Sequence, residues 1–151
     1  NFAAGKVVGP IWLSGHSAGG HLVSRMACKD SLLTEAVRQR VKSVMSMSGL
    51  HDLRPLMNTA MNDDWEMDMA EAMAESPALL EPLPGIQINC WVGSEERPEF
   101  LRQNDLLVNI WSGFGIDIAG HHVPGKHHFN VIDGLLEADS ALVTTLLGTV
   151  P

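Results

Sequence analysis

The stretch KVVGPIWLSGHSAGGHLVSRMACKD, residues 6–30, contains the change of hydrophobic pattern that decides the fold. Its first part, KVVGPIWLSG, is apolar and ends at a glycine, which predicts a strand through Leu13. Its second part repeats Leu22, Val23 and Met26 on one face, which predicts a helix. A strand that runs directly into a helix is typical of sheets whose parallel strands are joined by helices.

The rest of the chain alternates between predicted strands and predicted helices. Further strands are predicted where apolar runs end in a turn, at residues 41–49, 85–93 and 116–123. Helices are predicted from apolar periodicity over residues 18–30, 32–40, 97–113 and 128–148. This order favours an α/β fold, a mostly parallel sheet flanked by helices, in a single domain over residues 1–151.

Residues 51–85 interrupt this alternation as an excursion between two strands. They contain four prolines and five of the eight methionines, and a helix is expected near residues 65–75. Such an excursion can form a wall of a binding site, since methionine-rich surfaces repack easily around apolar ligands. The alternative is that the methionines fill an irregular core.

The segment Gly15-His16-Ser17-Ala18-Gly19 fits the pattern G-x-S-x-G at the turn between strand and helix. Such a turn strains the serine backbone and exposes its hydroxyl, which makes Ser17 a candidate nucleophile rather than a passive turn residue. We expect both glycines to be required, because a side chain at either position would collide with the neighbouring strand or helix. The Ala18 N–H can face a developing oxyanion, and His16 is a further candidate for oxyanion or substrate binding.

A nucleophilic serine needs a base, usually a histidine that a carboxylate holds in place. The segment GHHVPGKHHF supplies His121, His122, His127 and His128. No metal is predicted here, because His121 and His122 lie along a strand and point to opposite faces, and no metal-binding motif accompanies them. His128, in the loop before the last helix, is the candidate base, and His127 is the alternative.

The acid is expected after the strand that ends at Gly93, because active residues in such sheets lie at the carboxyl ends of strands. The following GSEERPEF offers Glu95, Glu96 and Glu99, of which Glu99 is the weakest candidate since it lies inside a predicted helix. Acidic residues at a helix start can also simply favour the helix dipole. Asp52, after the preceding strand, is a further carboxylate and fits a turn cap better.

Composition and charge restrict the partners that the protein can take. A formal net charge of −8 without a cluster of Lys and Arg argues against nucleic acid. No apolar run approaches the roughly 20 residues that span a bilayer, and no signal-peptide pattern is visible. Cys28 and Cys90 lie in apolar company and are expected to be buried reduced thiols. We therefore predict a cytoplasmic protein with no membrane partner, no cofactor and a small-molecule acyl substrate.

Five segments occur in an order and spacing that resemble a known family: SGHSAGGHL, SGLHDLRPL, ESPALL, VGSEERPEFLRQ and KHHFNVIDGL. The chain resembles the α/β-hydrolases of the serine-dependent kynurenine formamidase (arylformamidase) type, in the esterase/lipase group related to hormone-sensitive lipase. The resemblance implies the C-terminal portion of that fold, with Ser17 as nucleophile and His128 as base. It implies Glu96 as the acid, where the family usually has aspartate. It also implies cleavage of N-formylkynurenine through an acyl-enzyme, although a generic short-chain carboxylesterase would use the same triad.

The chain departs from the family in one respect, since it contains no His-Gly-Gly motif upstream of the serine. That motif would supply the remaining oxyanion N–H groups. With no initiator methionine either, the chain is interpreted as a fragment or a half-domain, and a catalytically incomplete fragment or assembly module is a further alternative. The strand that ends at Leu13 would then be an open sheet edge, which favours a homodimer or pairing with a missing N-terminal segment.

Overall fold

The computed structural model describes residues 1–148, and the last three residues of the predicted domain lie outside the described part. Its sheet has four strands in the order β1-β2-β3-β4, and each neighbouring pair is parallel. The strands are β1 (Ile11–His16), β2 (Val41–Met47), β3 (Gln87–Gly93) and β4 (Asp117–Val123). The predicted α/β fold with a parallel sheet is confirmed.

Helices join the strands, as parallel pairing requires. The α-helices are α1 (Ala18–Met26), α2 (Glu35–Arg38), α3 (Asn62–Trp65), α4 (Met69–Ala74), α5 (Pro98–Ser112) and α6 (Ala141–Leu147). Short 3₁₀ helices occupy Ala3–Gly5, Arg54–Asn58, Pro77–Leu79 and Val131–Leu136. Because every strand runs in the same direction, the loops after all four strands open at one edge of the sheet.

Strand β1 ends three residues later than predicted, at His16 rather than at Leu13. Gly15 and His16 stay in register with Ser46 and Met47 of β2, so the strand continues up to the candidate nucleophile. Within the described residues, β1 has a neighbouring strand on one side only. Among the described strands, the one that precedes Ser17 is therefore at an edge of the sheet, as the sequence predicted.

The final segment is not the single helix predicted over residues 128–148. A 3₁₀ turn at Val131–Leu136 is followed by a break and then by α6. The Ser140 hydroxyl causes the break, because its oxygen accepts from the Val143 N–H at 3.1 Å while its hydrogen is donated to the Gly134 carbonyl. A serine with this bond starts a new helix, so the earlier turn cannot continue into α6.

The core covers both faces of the sheet. On one face α1 and α5 pack against β2 and β3, and both cysteines lie fully buried in this cluster. Burial raises the pKa of each thiol to about 12, so both cysteines are protonated and unreactive at neutral pH. On the other face Met45, Met47 and Trp91 pack against Leu142 of α6.

The methionines of the excursion over residues 51–85 do not form the irregular core that was one of the two expectations. Met57 and Met67 are only half-buried, against the small apolar cluster of Leu53 and Leu56. The other three methionines of the excursion are about half exposed, at 49–51% of their surface. The excursion therefore leaves an apolar, adaptable surface above the edge of the sheet where the strands end.

Candidate active site

Ser17 occupies the sharp turn between β1 and α1. Its backbone has φ 57° and ψ −117°, in a region that residues with a side chain rarely adopt. The Ser17 N–H donates to the Met47 carbonyl oxygen at 2.9 Å, which ties the turn to the end of β2. The strained backbone and the tie to β2 together match what a G-x-S-x-G turn requires of a nucleophile.

The glycines of this turn differ in their need to be glycine. A Cβ on Gly15 would lie 2.1 Å from the Gly19 carbonyl oxygen, which is a collision with backbone. A Cβ on Gly19 would meet nothing within 4 Å, so the expectation that Gly19 is sterically required is wrong. The close approach lies one residue later, where a Cβ on Gly20 would be 2.8 Å from the Cα of Gly49.

A paired substitution tests this difference. We expect Gly15→Ala to lower the free energy of unfolding by about 1–3 kcal/mol, the usual cost of overpacking, because the backbone of α1 must move. We expect Gly19→Ala to leave it unchanged or to raise it by up to about 1 kcal/mol, since alanine favours a helix. Denaturant unfolding of the two variants measures this, and equal destabilisation would contradict the close approach at Gly15.

The ends of β1, β3 and β4 bring three candidate residues into one hydrogen-bonded chain. His128 Nε2 lies 3.0 Å from Ser17 Oγ, and His128 Nδ1 lies 2.7 Å from Glu96 Oε2. Since a carboxylate only accepts, Nδ1–H donates to Glu96 and leaves Nε2 free to accept from the Ser17 hydroxyl. This is the geometry of a nucleophile, a base and an orienting acid.

Glu96 is held on its other side by two donors. Its Oε1 accepts from the Ser48 hydroxyl at 2.5 Å and from the Gly93 N–H at 2.9 Å, and the side chain is fully buried. Ser48 itself has a positive φ of 49°, so its backbone is bent to reach the carboxylate. Sequence reasoning missed Ser48, although its position just after β2 places it at the same edge of the sheet.

The other candidate acids have different partners. Glu95 is exposed, and Glu99 is paired with Arg102 at 2.7 Å. Asp52 accepts from Arg54 at 2.8 Å, and this hydrogen bond holds the pKa of the Asp52 carboxyl below its usual value. None of these three carboxylates contacts His128, so Glu96 is the one that the structure brings to the imidazole.

No protein-family model matches the chain, but comparisons with curated proteins and with solved structures find relatives. The chain is 32% identical over 143 residues to a kynurenine formamidase of Salmo salar, which covers 91% of the chain and 48% of that protein. It is 44% identical to a thioesterase candidate from Silicibacter sp. TM1040, whose crystal structure superposes with a TM-score of 0.86 over 97% of the chain and 53% of that protein. The chain is an α/β-hydrolase of the arylformamidase/esterase type.

This hydrolase chain spans about half the length of the relatives that it matches. More distant structures share the fold alone. An acetyl ester-xyloside bifunctional hydrolase from Caldicellulosiruptor lactoaceticus is 14% identical, with a TM-score of 0.65 over 90% of this chain and 55% of that one. The resemblance read from the sequence, including the hydrolase fold, is confirmed.

His16 of the hydrolase contacts the loop that carries the base. Its Nε2–H donates to the His128 carbonyl oxygen at 2.7 Å, and the two rings lie 4.7 Å apart. The imidazole of His16 therefore positions the His128 loop, and sequence reasoning, which placed His16 with substrate, gave no sign of this bond. His127, the alternative base, is exposed and accepts from the Phe129 N–H.

A buried amide fixes the loop that follows β2. Gln103 Oε1 accepts from the N–H groups of His51 and Asp52, both at 2.7 Å, and its Nε2 donates to the Asp52 carbonyl at 2.8 Å. Gln103 is fully buried and comes from α5. The clamp holds the segment that begins with Ser48, and so it supports the Glu96 carboxylate indirectly.

The histidines on β4 have separate partners. His121 stacks on Trp91 at 4.2 Å and contacts Asn89, whereas His122 lies 2.7 Å from Asp105. In residues 1–148 no group of three His, Cys, Asp or Glu side chains is arranged to hold a metal ion. No helix in the same part of the chain has the length and apolar character needed to cross a bilayer.

Two cavities flank the hydrogen-bonded chain. One, of about 170 Å³, lies beside Ala18 and His21, and its other walls are apolar: Leu50, Leu53, Leu56, Trp65 and Met67. The excursion over residues 51–85 therefore supplies a wall of this cavity. This is one of the two roles that the sequence allowed for the excursion. The second, of about 260 Å³, opens beside the His128 imidazole and is lined by Arg97, Phe100, His128 and Phe129.

Proposed function

We propose that the protein is a serine hydrolase that cleaves the formyl group from an aryl formamide such as N-formylkynurenine. The observation that carries the proposal is the chain of hydrogen bonds from Ser17 through His128 to Glu96. The likeness to a kynurenine formamidase supports the formamide as substrate.

The reaction begins with attack of Ser17 Oγ on the formyl carbon. His128 Nε2, which already accepts from that hydroxyl, takes its proton and becomes an imidazolium. The Glu96 carboxylate beside Nδ1 stabilises the positive charge and keeps the ring in place. The carbonyl electron pair moves to its oxygen, which gives a tetrahedral oxyanion on Ser17.

The amino-terminal end of α1 stabilises this oxyanion. The first bond inside the helix runs from the His21 N–H to the Ser17 carbonyl at 3.1 Å, so the Ala18 N–H precedes the hydrogen-bonded turn. The helix dipole adds partial positive charge at the same place. One such donor contributes about 10²–10³ in turnover.

The tetrahedral intermediate then collapses to an acyl-enzyme, which water hydrolyses. His128 Nε2 returns its proton to the amide nitrogen, the C–N bond breaks, and an aryl amine leaves a formyl ester on Ser17. Water attacks this ester while His128 again accepts a proton, and His128 then returns that proton to Ser17 Oγ as the C–O bond breaks and formate leaves. Each step uses the same imidazole, which agrees with its position between the hydroxyl and the buried carboxylate.

A second candidate function is a short-chain carboxylesterase with the same triad. The apolar cavity of about 170 Å³ beside Ala18 favours it, because this cavity has room for an acyl chain. A formyl group is a single carbon and leaves such a cavity empty unless the aryl group enters it.

Formanilide, acetanilide and butyranilide separate the two functions, because they share a leaving group and differ only in the acyl chain. We expect kcat/KM for formanilide to exceed that for butyranilide by about 10²-fold or more, since the formyl carbon is both unhindered and intrinsically reactive. Steady-state hydrolysis of the three anilides and of p-nitrophenyl butyrate measures this. Rapid turnover of the butyrate ester with no detectable attack on formanilide would favour the carboxylesterase.

A further inference from the structure

The cavity beside His128 has aromatic walls. The Phe100 ring centroid lies 4.3 Å from that of His128 with a tilt of 37°, and the Phe129 ring stands nearly perpendicular to the imidazole at 5.4 Å. Phe129 is also 79% exposed, so its ring is available to a ligand that enters from solvent. Offset and edge-on contacts of this kind suit a flat aromatic group.

Arg97 is the charged residue of this cavity, and it differs from every other cation of the chain. Of the ten Lys and Arg residues, five pair with carboxylates: Arg25, Lys29, Arg54, Arg102 and Lys126. Three donate to backbone carbonyls, Arg38, Arg40 and Lys42, and Lys6 lies over an aromatic ring. Among the Lys and Arg residues of the part that the structure describes, Arg97 is the one whose charged group has no hydrogen bond, ion pair or ring contact.

The direction of proton transfer decides which part of a substrate enters this cavity. His128 Nε2 must protonate the departing nitrogen, so the leaving group has to lie within hydrogen-bond reach of that imidazole. The imidazole lines the cavity with Arg97, whereas the cavity beside Ala18 does not include it. The leaving group therefore belongs with Arg97, Phe100 and Phe129.

We propose that Arg97 is a specificity-determining residue of this cavity, which binds a carboxylate carried by the departing aromatic amine. The inference rests on the proposed function and assigns it a residue that selects among its substrates. A guanidinium presents two parallel N–H donors that match the two oxygens of a carboxylate. The net charge of −8 repels an anionic substrate at long range. The unpaired Arg97 guanidinium would offset this repulsion locally, beside the reacting groups.

A matched pair of substrates tests the role of Arg97. The pair is 3-(2-formamidophenyl)propanoate and the corresponding propanamide, which differ only in the charged group. We expect Arg97→Gln to lower the ratio of kcat/KM for the acid to that for the amide by about tenfold, mainly through KM, since the arginine is exposed and the ion pair is partly screened. Arg97→Lys should retain part of the ratio, because the charge stays while the planar fork is lost.

The control is Lys42→Gln, which removes one positive charge at the opposite, amino-terminal end of β2. This variant should keep the wild-type ratio, and an equal fall in both variants would show that only the overall charge matters. An unchanged ratio in Arg97→Gln would overturn the proposal.

Binding measured without turnover separates this inference from the proposed function. Calorimetric titration with the product-like 3-(2-aminophenyl)propanoate and its amide needs no hydrolysis. We expect the wild-type protein to bind the acid about tenfold more tightly than the amide, and Arg97→Gln to remove this preference. Preferred binding of the acid without formamide hydrolysis would reject the proposed reaction alone. Equal or absent binding of the two ligands would reject the role of Arg97.

Discussion

Replacement of Ser17 with alanine is expected to lower kcat/KM for formyl and short acyl substrates by about 10⁴-fold or more, because the covalent intermediate can no longer form. The hydroxyl is the only part of Ser17 that the mechanism uses, and it lies 3.0 Å from His128 Nε2. Steady-state hydrolysis of formanilide and p-nitrophenyl acetate by the purified variant measures the loss.

Ser14→Ala is the matched control for this loss. Ser14 is an exposed serine on β1, three residues before Ser17, and its replacement should leave kcat/KM within about twofold of the wild type, as for a surface substitution. The Ser17→Ala protein should also keep the wild-type melting temperature, because its backbone strain does not depend on the hydroxyl. Hydrolysis by Ser17→Ala at more than a tenth of the wild-type rate would exclude Ser17 as nucleophile.

Glu96→Gln is expected to lower kcat by about 10³–10⁴-fold with little change in KM. Two effects act together. The neutral amide cannot stabilise the imidazolium, and an amide that donates toward Nδ1 would favour the tautomer whose Nε2 is already protonated. The Glu96 side chain is fully buried, so no solvent ion can replace its charge. Measurement of kcat and KM at a fixed neutral pH shows how much of the loss in activity comes from each constant.

Glu95→Gln provides the control, because it removes the same charge from the adjacent, exposed position. It should leave kcat within about twofold of the wild type. If both variants lost activity equally, the fall would come from the summed charge near the site. A large loss confined to Glu95→Gln would assign the acid to that residue and contradict the role of Glu96.

The sequence predicted most of the fold because its signals are local. A strand, a glycine-rich turn and a helix follow one another within residues 6–30, and each has its own hydrophobic period. The rule that parallel strands end at one edge then predicts that residues distant in the chain meet there. Ser17, Glu96 and His128 were singled out on these grounds and on the resemblance, and the structure places them within hydrogen-bond distance.

The features that sequence reasoning missed depend on contacts between distant segments. Gly20 has to be small because Gly49 approaches it, and Ser48 matters because it reaches Glu96, 48 residues further along the chain. Neither contact can be inferred from the hydrophobic periodicity of a single segment. The choice between Glu95 and Glu96 likewise depends on which of the two side chains is buried. The conformation of the loop between β3 and α5 determines this.

Covalent labelling tests the central claim most directly, which is that His128 and Glu96 activate the hydroxyl of Ser17. The protein is treated with a fluorophosphonate, and the modified peptide is located by mass spectrometry. We expect one equivalent of label, located on Ser17, and a labelling rate that falls by about 10²-fold or more in His128→Gln, since an unassisted serine is a poor nucleophile at neutral pH. No label, a label on another residue, or an equal labelling rate in His128→Gln would contradict it.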